Sequence, residues 1–296
     1  MENLKIYHLC VRCRRGLMFR SRQDYIRFIN TLALLALKYK VRVLAYAVMS
    51  NHYHLAVMAD DIGKFFRMLG VSYANYYYCK YGVSLPKVSR KVLEVAGNLH
   101  IVTLLAYIIR NPVHHGLVGN PFVYPYSSAV CYFAYPGSLY SIGSAPVIKR
   151  EKTPLPKCYG GDREGMIDPM SIVDYRMVET LFVTSGRFMY FTTRYSGPKW
   201  EKEQMEENAS VSPVTLKSVE GDEADLDSWL KYEKGHGRLL VPDQLLCELV
   251  DTELVPRYGS ASFAQLTWEQ SMEVVSMLRS EWKIAQEQAE RCVYHV

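Results

Sequence analysis

The stretch MSNHYHLAV carries two histidines, His52 and His54, on either side of one tyrosine, directly after residues with strand character. In a β-strand residues i and i+2 point to one face, so the two imidazoles project side by side while Tyr53 goes to the other. That geometry can chelate a metal ion. It is equally compatible with two imidazoles that hold ordinary hydrogen bonds. A third ligand would decide between them, and the stretch NLHIVTLLAYIIRNP offers one, because Tyr107 and Asn111 stand at i and i+4 on one helix face. Each also has a plain reading: Tyr107 as a core aromatic with a satisfied hydroxyl, Asn111 as a C-terminal helix residue before a proline. Cys10 and Cys13 form a single CxxC beside His8, read most simply as small apolar members of a first strand.

The elements that must position these residues follow from periodicity. KIYHLCVRC alternates as a strand, and QDYIRFINTLALLALKYK repeats at helical spacing. VRVLAYAVM and HYHLAVMA are two further strands, joined into a hairpin by the turn formers Ser50 and Asn51. DDIGKFFRMLGVSYANYYYCKYG predicts a second helix, with acids at its N-terminus and Gly82 just past its end. LPKVSRKVL reads as a strand. The third helix is predicted to stop at Asn111, because Pro112 lacks an N–H and disfavours helical geometry in the residue before it. The order β-α-β-β-α-β-α predicts an α+β domain, a ferredoxin-like or RRM-like antiparallel sheet with helices on one face.

The net charge of +5 hides a division: residues 1–150 hold 19 Lys and Arg against 5 Asp and Glu, +14, and the remainder 16 against 25, −9. Arg12, Arg14, Arg15 and Arg20, followed by Arg22 and Arg27, cluster in the first half and suit a polyanionic partner. A solvated basic face is the plainer alternative. Seven scattered cysteines point to reduced thiols, no apolar run is long enough to span a bilayer, and MENLKIYHLCVRCRR has no apolar h-region. The expected compartment is the cytoplasm, with no membrane partner.

AYAVMSNHYHLAV resembles the His-hydrophobe-His (HUH) motif of the single-tyrosine transposases, and AYIIRNPVHHGLV resembles their tyrosine-helix motif. IYHLCVRCRRGLMF is similar to their first strand and Arg-rich loop, SYANYYYCKYG to their second helix, and YPYSSAVCYF to their closing Ser-Ser segment. The ordered set spans roughly residues 3–135 and is most similar to the REP-associated tyrosine transposases. One segment departs: GVSLPKVSRKVL stands where the family has a Gly-x-Leu-Phe-Gln and Arg-Phe stretch, so no DNA contact carries over from there. The resemblance implies a nucleophile at Tyr107, metal ligands at His52, His54 and Asn111, and Mg2+ or Mn2+ as cofactor. It also implies single-stranded or hairpin DNA as substrate and a 5′-phosphotyrosine intermediate. A non-catalytic DNA- or RNA-binding module on the same fold is the competing reading. A zinc hydrolase would need a water-activating base, and no carboxylate lies near His52 in sequence.

In the aromatic run Tyr73, Tyr77 and Tyr81 share a face and are expected in the core, whereas Tyr76 and Lys80 lie on another face and could meet bases and phosphates of a single strand. His114 and His115 read as loop residues. The expected organisation is a transposase-like domain over 1–140, a linker with short helices over 141–225, and a helical unit over 226–296. That last unit resembles a helix-turn-helix array, or equally a three-helix bundle that binds nothing. A homodimer and a protein partner for the acidic C-terminal half complete the expectations.

Overall fold

The computed structural model describes residues 4–13, 16–134, 165–193 and 241–295, with short pieces at 202, 205–206, 212–215 and 218–219. Arg14, Arg15, residues 141–164 of the linker expected over 141–225 and most of the acidic stretch before residue 241 lie outside the described residues.

Four strands, β1 (Lys5–Cys13), β2 (Arg42–Val48), β3 (His52–Ala59) and β4 (Val88–Val95), form one sheet in the order β2-β3-β1-β4. Every neighbouring pair is antiparallel. Cys10 lies opposite His54 and Arg12 opposite His52, so alternation gathers His8, Cys10, Arg12, His52 and His54 on one face. The other face carries Leu9, Val11, Tyr53 and Leu55. Helices α1 (Arg22–Tyr39) and α2 (Gly63–Tyr81) pack together over it, with the Phe28 and Tyr53 rings 4.5 Å apart. This is the expected ferredoxin-like arrangement. A third helix, α3 (Asn98–His114), crosses the histidine face against β2 and β3.

Local chemistry explains most element ends. The Asp24 carboxylate accepts the N–H groups of Arg20 and Ser21 at 2.8 Å, closing the start of α1. Gly82 ends α2 in the left-handed conformation at φ 75°. Asp60 and Asp61 fall outside α2, and Asp61 accepts the Gly63 N–H instead. The stop expected at Asn111 is corrected: α3 runs through Pro112 to His114. A proline in the last turn forfeits one hydrogen bond. Asn111 is held helical by its buried side-chain contacts, and Leu117 N–H returns to the Pro112 carbonyl at 2.9 Å.

Beyond the sheet, a single turn α4 (Pro169–Ile172) leads into α5 (Tyr175–Phe182) and α6 (Ser185–Thr193), which cover the outer side of α3. Phe182 and Phe188 meet there edge to face at 5.0 Å. The last unit comprises α7 (Asp243–Leu249), extended by tighter and wider turns to Tyr258, then α8 (Trp268–Ser280) and α9 (Gln286–Val293). It docks through buried charges. Arg20 is 1% exposed; its guanidinium donates to the Cys292 carbonyl at 2.8 Å and to Asp251 at 2.9 Å, and lies 3.5 Å from the Phe263 ring centre. Asp243 takes a two-pronged pair from Arg291 and accepts the Ser50 hydroxyl at 2.8 Å. Among the described residues no helix is long and apolar enough to cross a membrane.

Candidate active site

β3 and α3 together build a buried polar chain across the histidine face. His52 Nδ1 meets the Asn51 Oδ1 at 2.6 Å, and His52 Nε2 meets the Asn111 Oδ1 at 3.0 Å. The Asn111 Nδ2 in turn donates to the Tyr107 hydroxyl oxygen at 3.0 Å. His52 is fully buried, and burial, with the Arg12 guanidinium adding to it, pushes its pKa well below 6.5. A neutral imidazole has one N–H, yet both oxygens facing His52 are acceptors. With the proton on Nδ1 toward Asn51, the Nε2 lone pair points at the lone pairs of the Asn111 oxygen. A cation between them turns that opposition into two donor bonds. The alternative is an Asn111 amide turned over, which then presents its oxygen to Tyr107.

His54 lies beside this pair, its ring 5.2 Å from that of His52 and edge to face with Tyr107 at 5.3 Å. Its Nδ1 pairs with His8 Nε2 at 3.0 Å, and its Nε2 is a buried atom with no hydrogen-bond partner. Burial first, then the neighbouring His52, His8 and Arg12, holds the His54 pKa well below 6.5. Neutral imidazoles are the ligand form of histidine. Among the described residues no three His, Cys, Asp or Glu side chains are placed to hold a metal ion. The donor set here, two imidazole nitrogens and one amide oxygen, is of a chemistry that fits a divalent ion, and the His54 Nε2 is left without a hydrogen-bond partner.

No family model matches the chain, and no curated protein does. A solved structure described as the REP-associated tyrosine transposase bound to a REP hairpin is similar over 45% of this chain and 82% of its own, at 19% identity and a TM-score of 0.37. A likeness at that level carries no residue role across.

The four residues singled out by type and spacing, His52, His54, Tyr107 and Asn111, thus come together. Arg12 joins them, buried and opposite His52 in register. The other expected DNA contacts do not stand at this site. Arg20 is corrected from a surface cation to an internal one, because Asp251 and the Cys292 carbonyl compensate its burial. Tyr76 is half-buried and Lys80 exposed, and their hydroxyl and ammonium reach the Asp24 Oδ1 at 2.9 and 2.7 Å. A fully buried carboxylate needs those donors. Tyr73, Tyr77 and Tyr81 are core residues. The CxxC is strand interior, with Cys10 and Cys13 both buried.

Three neighbours were not foreseen at the site. His8 is diagonal to His54 across the β1–β3 pair, which only the register reveals. His115 caps α3 and packs its ring 4.7 Å from His52, a position hidden by ending the helix at Asn111. Asn51, read as a turn former, also orients His52.

Proposed function

We propose that this chain is a metal-dependent single-strand DNA endonuclease and strand transferase, with Tyr107 as nucleophile and His52, His54 and Asn111 as ligands of Mg2+ or Mn2+. One observation carries the reading: a single amide, Asn111, stands 3.0 Å from the His52 Nε2 through its oxygen and 3.0 Å from the Tyr107 oxygen through its nitrogen. The cation seat and the nucleophile are therefore coupled through one side chain. Bound there, the cation would polarise a phosphate oxygen and offset charge in the transition state.

The chain's own groups supply the rest. A tyrosine hydroxyl with an ordinary pKa of about 10 is a weak nucleophile at neutral pH. The Asn111 N–H stabilises the phenolate character that this oxygen gains as the tyrosine gives up its proton for attack. The new bond joins the Tyr107 oxygen to phosphorus and the P–O3′ bond breaks; the tyrosine loses its proton and the 3′ oxygen gains one. The phosphotyrosine conserves the energy of the cleaved linkage for a second strand end. Arg12 adds a buried positive charge beside His52.

Incubation with labelled hairpin DNA and Mn2+ should give a covalent protein–DNA adduct that Tyr107→Phe abolishes while DNA binding persists. An unchanged adduct in that variant removes Tyr107 from the role. The burial of Tyr107, 5% exposed, favours a second reading, a non-catalytic DNA- or RNA-binding module. Binding by the wild type with no adduct under any divalent ion decides for it.

A further inference from the structure

His8 has no part in the reading above, yet its ring is in direct contact with the His54 imidazole. Its Nε2 lies 3.0 Å from His54 Nδ1, and the two ring planes are within 14° of parallel with centroids 5.2 Å apart. That separation is close to the N···N distance plus two ring radii, so the rings meet edge to edge, the arrangement of an in-plane hydrogen bond. Both residues are fully buried, and the outer nitrogens, His8 Nδ1 and His54 Nε2, have no hydrogen-bond partner. The pair is a chain of four ring nitrogens with one shared hydrogen bond in the middle.

Two proton arrangements satisfy that bond. In one, His8 donates and His54 carries its own proton on Nε2, where a cation could not bind. In the other, His54 donates from Nδ1, its Nε2 keeps a free lone pair, and His8 accepts. We infer that His8 is the positioning residue of the site: it accepts the His54 Nδ1–H, so fixing the tautomer and ring angle that leave Nε2 open toward a divalent cation. The inference rests on the cation reading of His52, His54 and Asn111. It assigns to His8 what Asn51 does for His52, whose Nδ1 is held at 2.6 Å. Both candidate ligands thus have Nδ1 tied back, to β1 for His54 and to the hairpin turn for His52, which leaves Nε2 as the nitrogen available to a cation.

The test uses the full-length protein and three forms: wild type, His8→Gln and His8→Leu. Glutamine can set an amide oxygen at about the reach of the imidazole Nε2, whereas leucine fills the space with no acceptor. Long-range 1H–15N correlation of the metal-free wild type should show His54 protonated on Nδ1. A wild-type His54 protonated on Nε2 overturns the proposal. Calorimetric titration with Mn2+ should weaken roughly ten- to hundredfold in His8→Leu and recover most of that loss in His8→Gln. Equal Mn2+ affinity in wild type and His8→Leu overturns the assignment to His8 and leaves the cation site standing. Wild-type protein that takes up no Mn2+ overturns the cation reading itself, and the role of His8 with it.

Discussion

Asn111 is asked to do two things at once, and a single substitution separates them. Asn111→Asp keeps an oxygen toward His52 and adds charge, so Mn2+ affinity should hold or rise; it also removes the N–H that reaches Tyr107. On the proposed mechanism the adduct should form about a hundredfold more slowly at saturating Mn2+. Single-turnover rates that match wild type would show that this N–H does not stabilise the attacking oxygen. The histidines make a second prediction. Burial, with Lys91 adding to it, holds His8 down at about 3, and burial holds His52 and His54 well below 6.5. The unfolded chain takes up protons on these residues near 6.5 and the folded chain does not, so acid favours unfolding. The stability gained by keeping them neutral is complete above 6.5 and is lost as pH falls toward 3, with a slope of up to about 1.4 kcal/mol per pH unit for each histidine. Urea midpoints of metal-free protein should drop steadily with pH. His8→Leu should flatten that drop by one histidine's share, and curves of identical slope would show that His8 is already protonated or exposed in the native state.

At the scale of elements, the sequence announces what local periodicity controls and hides what packing controls. β1 and β3 have the bounds that alternation suggests, and i, i+2 spacing places His52 and His54 on one face without reference to any other strand. The end of α3 was hidden because proline's local preference lost to the buried contacts of Asn111. Tyr76 and Lys80 have a partner that helical periodicity does not show. Their shared face is visible in the helical repeat, but the carboxylate that claims them belongs to α1, more than fifty positions earlier. Asp24 also receives the Tyr81 hydroxyl at 2.7 Å and the two N–H groups that open α1. Asp24→Ala should therefore strand several buried donors and cost about 3 kcal/mol or more. Lys80, with 29% of its side chain exposed, should cost about 1 kcal/mol or less on truncation to Ala. The salt dependence of hairpin binding separates this account from a nucleic-acid role: Lys80→Ala should leave the slope of log K against log salt unchanged, and a slope reduced by about one unit would return Lys80 to the DNA surface.

For the molecule as a whole, the charge division read from composition does not map onto two independent bodies. The acidic half sends Asp251 and Asp243 into the basic half, where they meet Arg20 and the hairpin turn at Ser50, two residues before His52. Part of the +14 charge is consequently spent inside the protein, leaving Arg22, Lys64, Arg67 and Lys87 among the exposed cations. Composition could not show this, because counting charges says nothing of which are buried. The unit over 241–295 then acts as a brace on the site, and the coupling has a measurable consequence. Asp243→Ala leaves the Arg291 guanidinium buried without its carboxylate and the Ser50 hydroxyl without its acceptor, at a cost of about 3–5 kcal/mol. Because the same contacts join the C-terminal helices to the sheet, that loss should fall on both together. Thermal unfolding followed at Trp268 or Trp282 in the C-terminal unit, and by far-ultraviolet dichroism of the whole chain, should shift down by the same amount in a single transition. If the tryptophan signal melts early while the dichroism retains a second transition at the wild-type temperature, the C-terminal helices are an independent body and the brace does not exist.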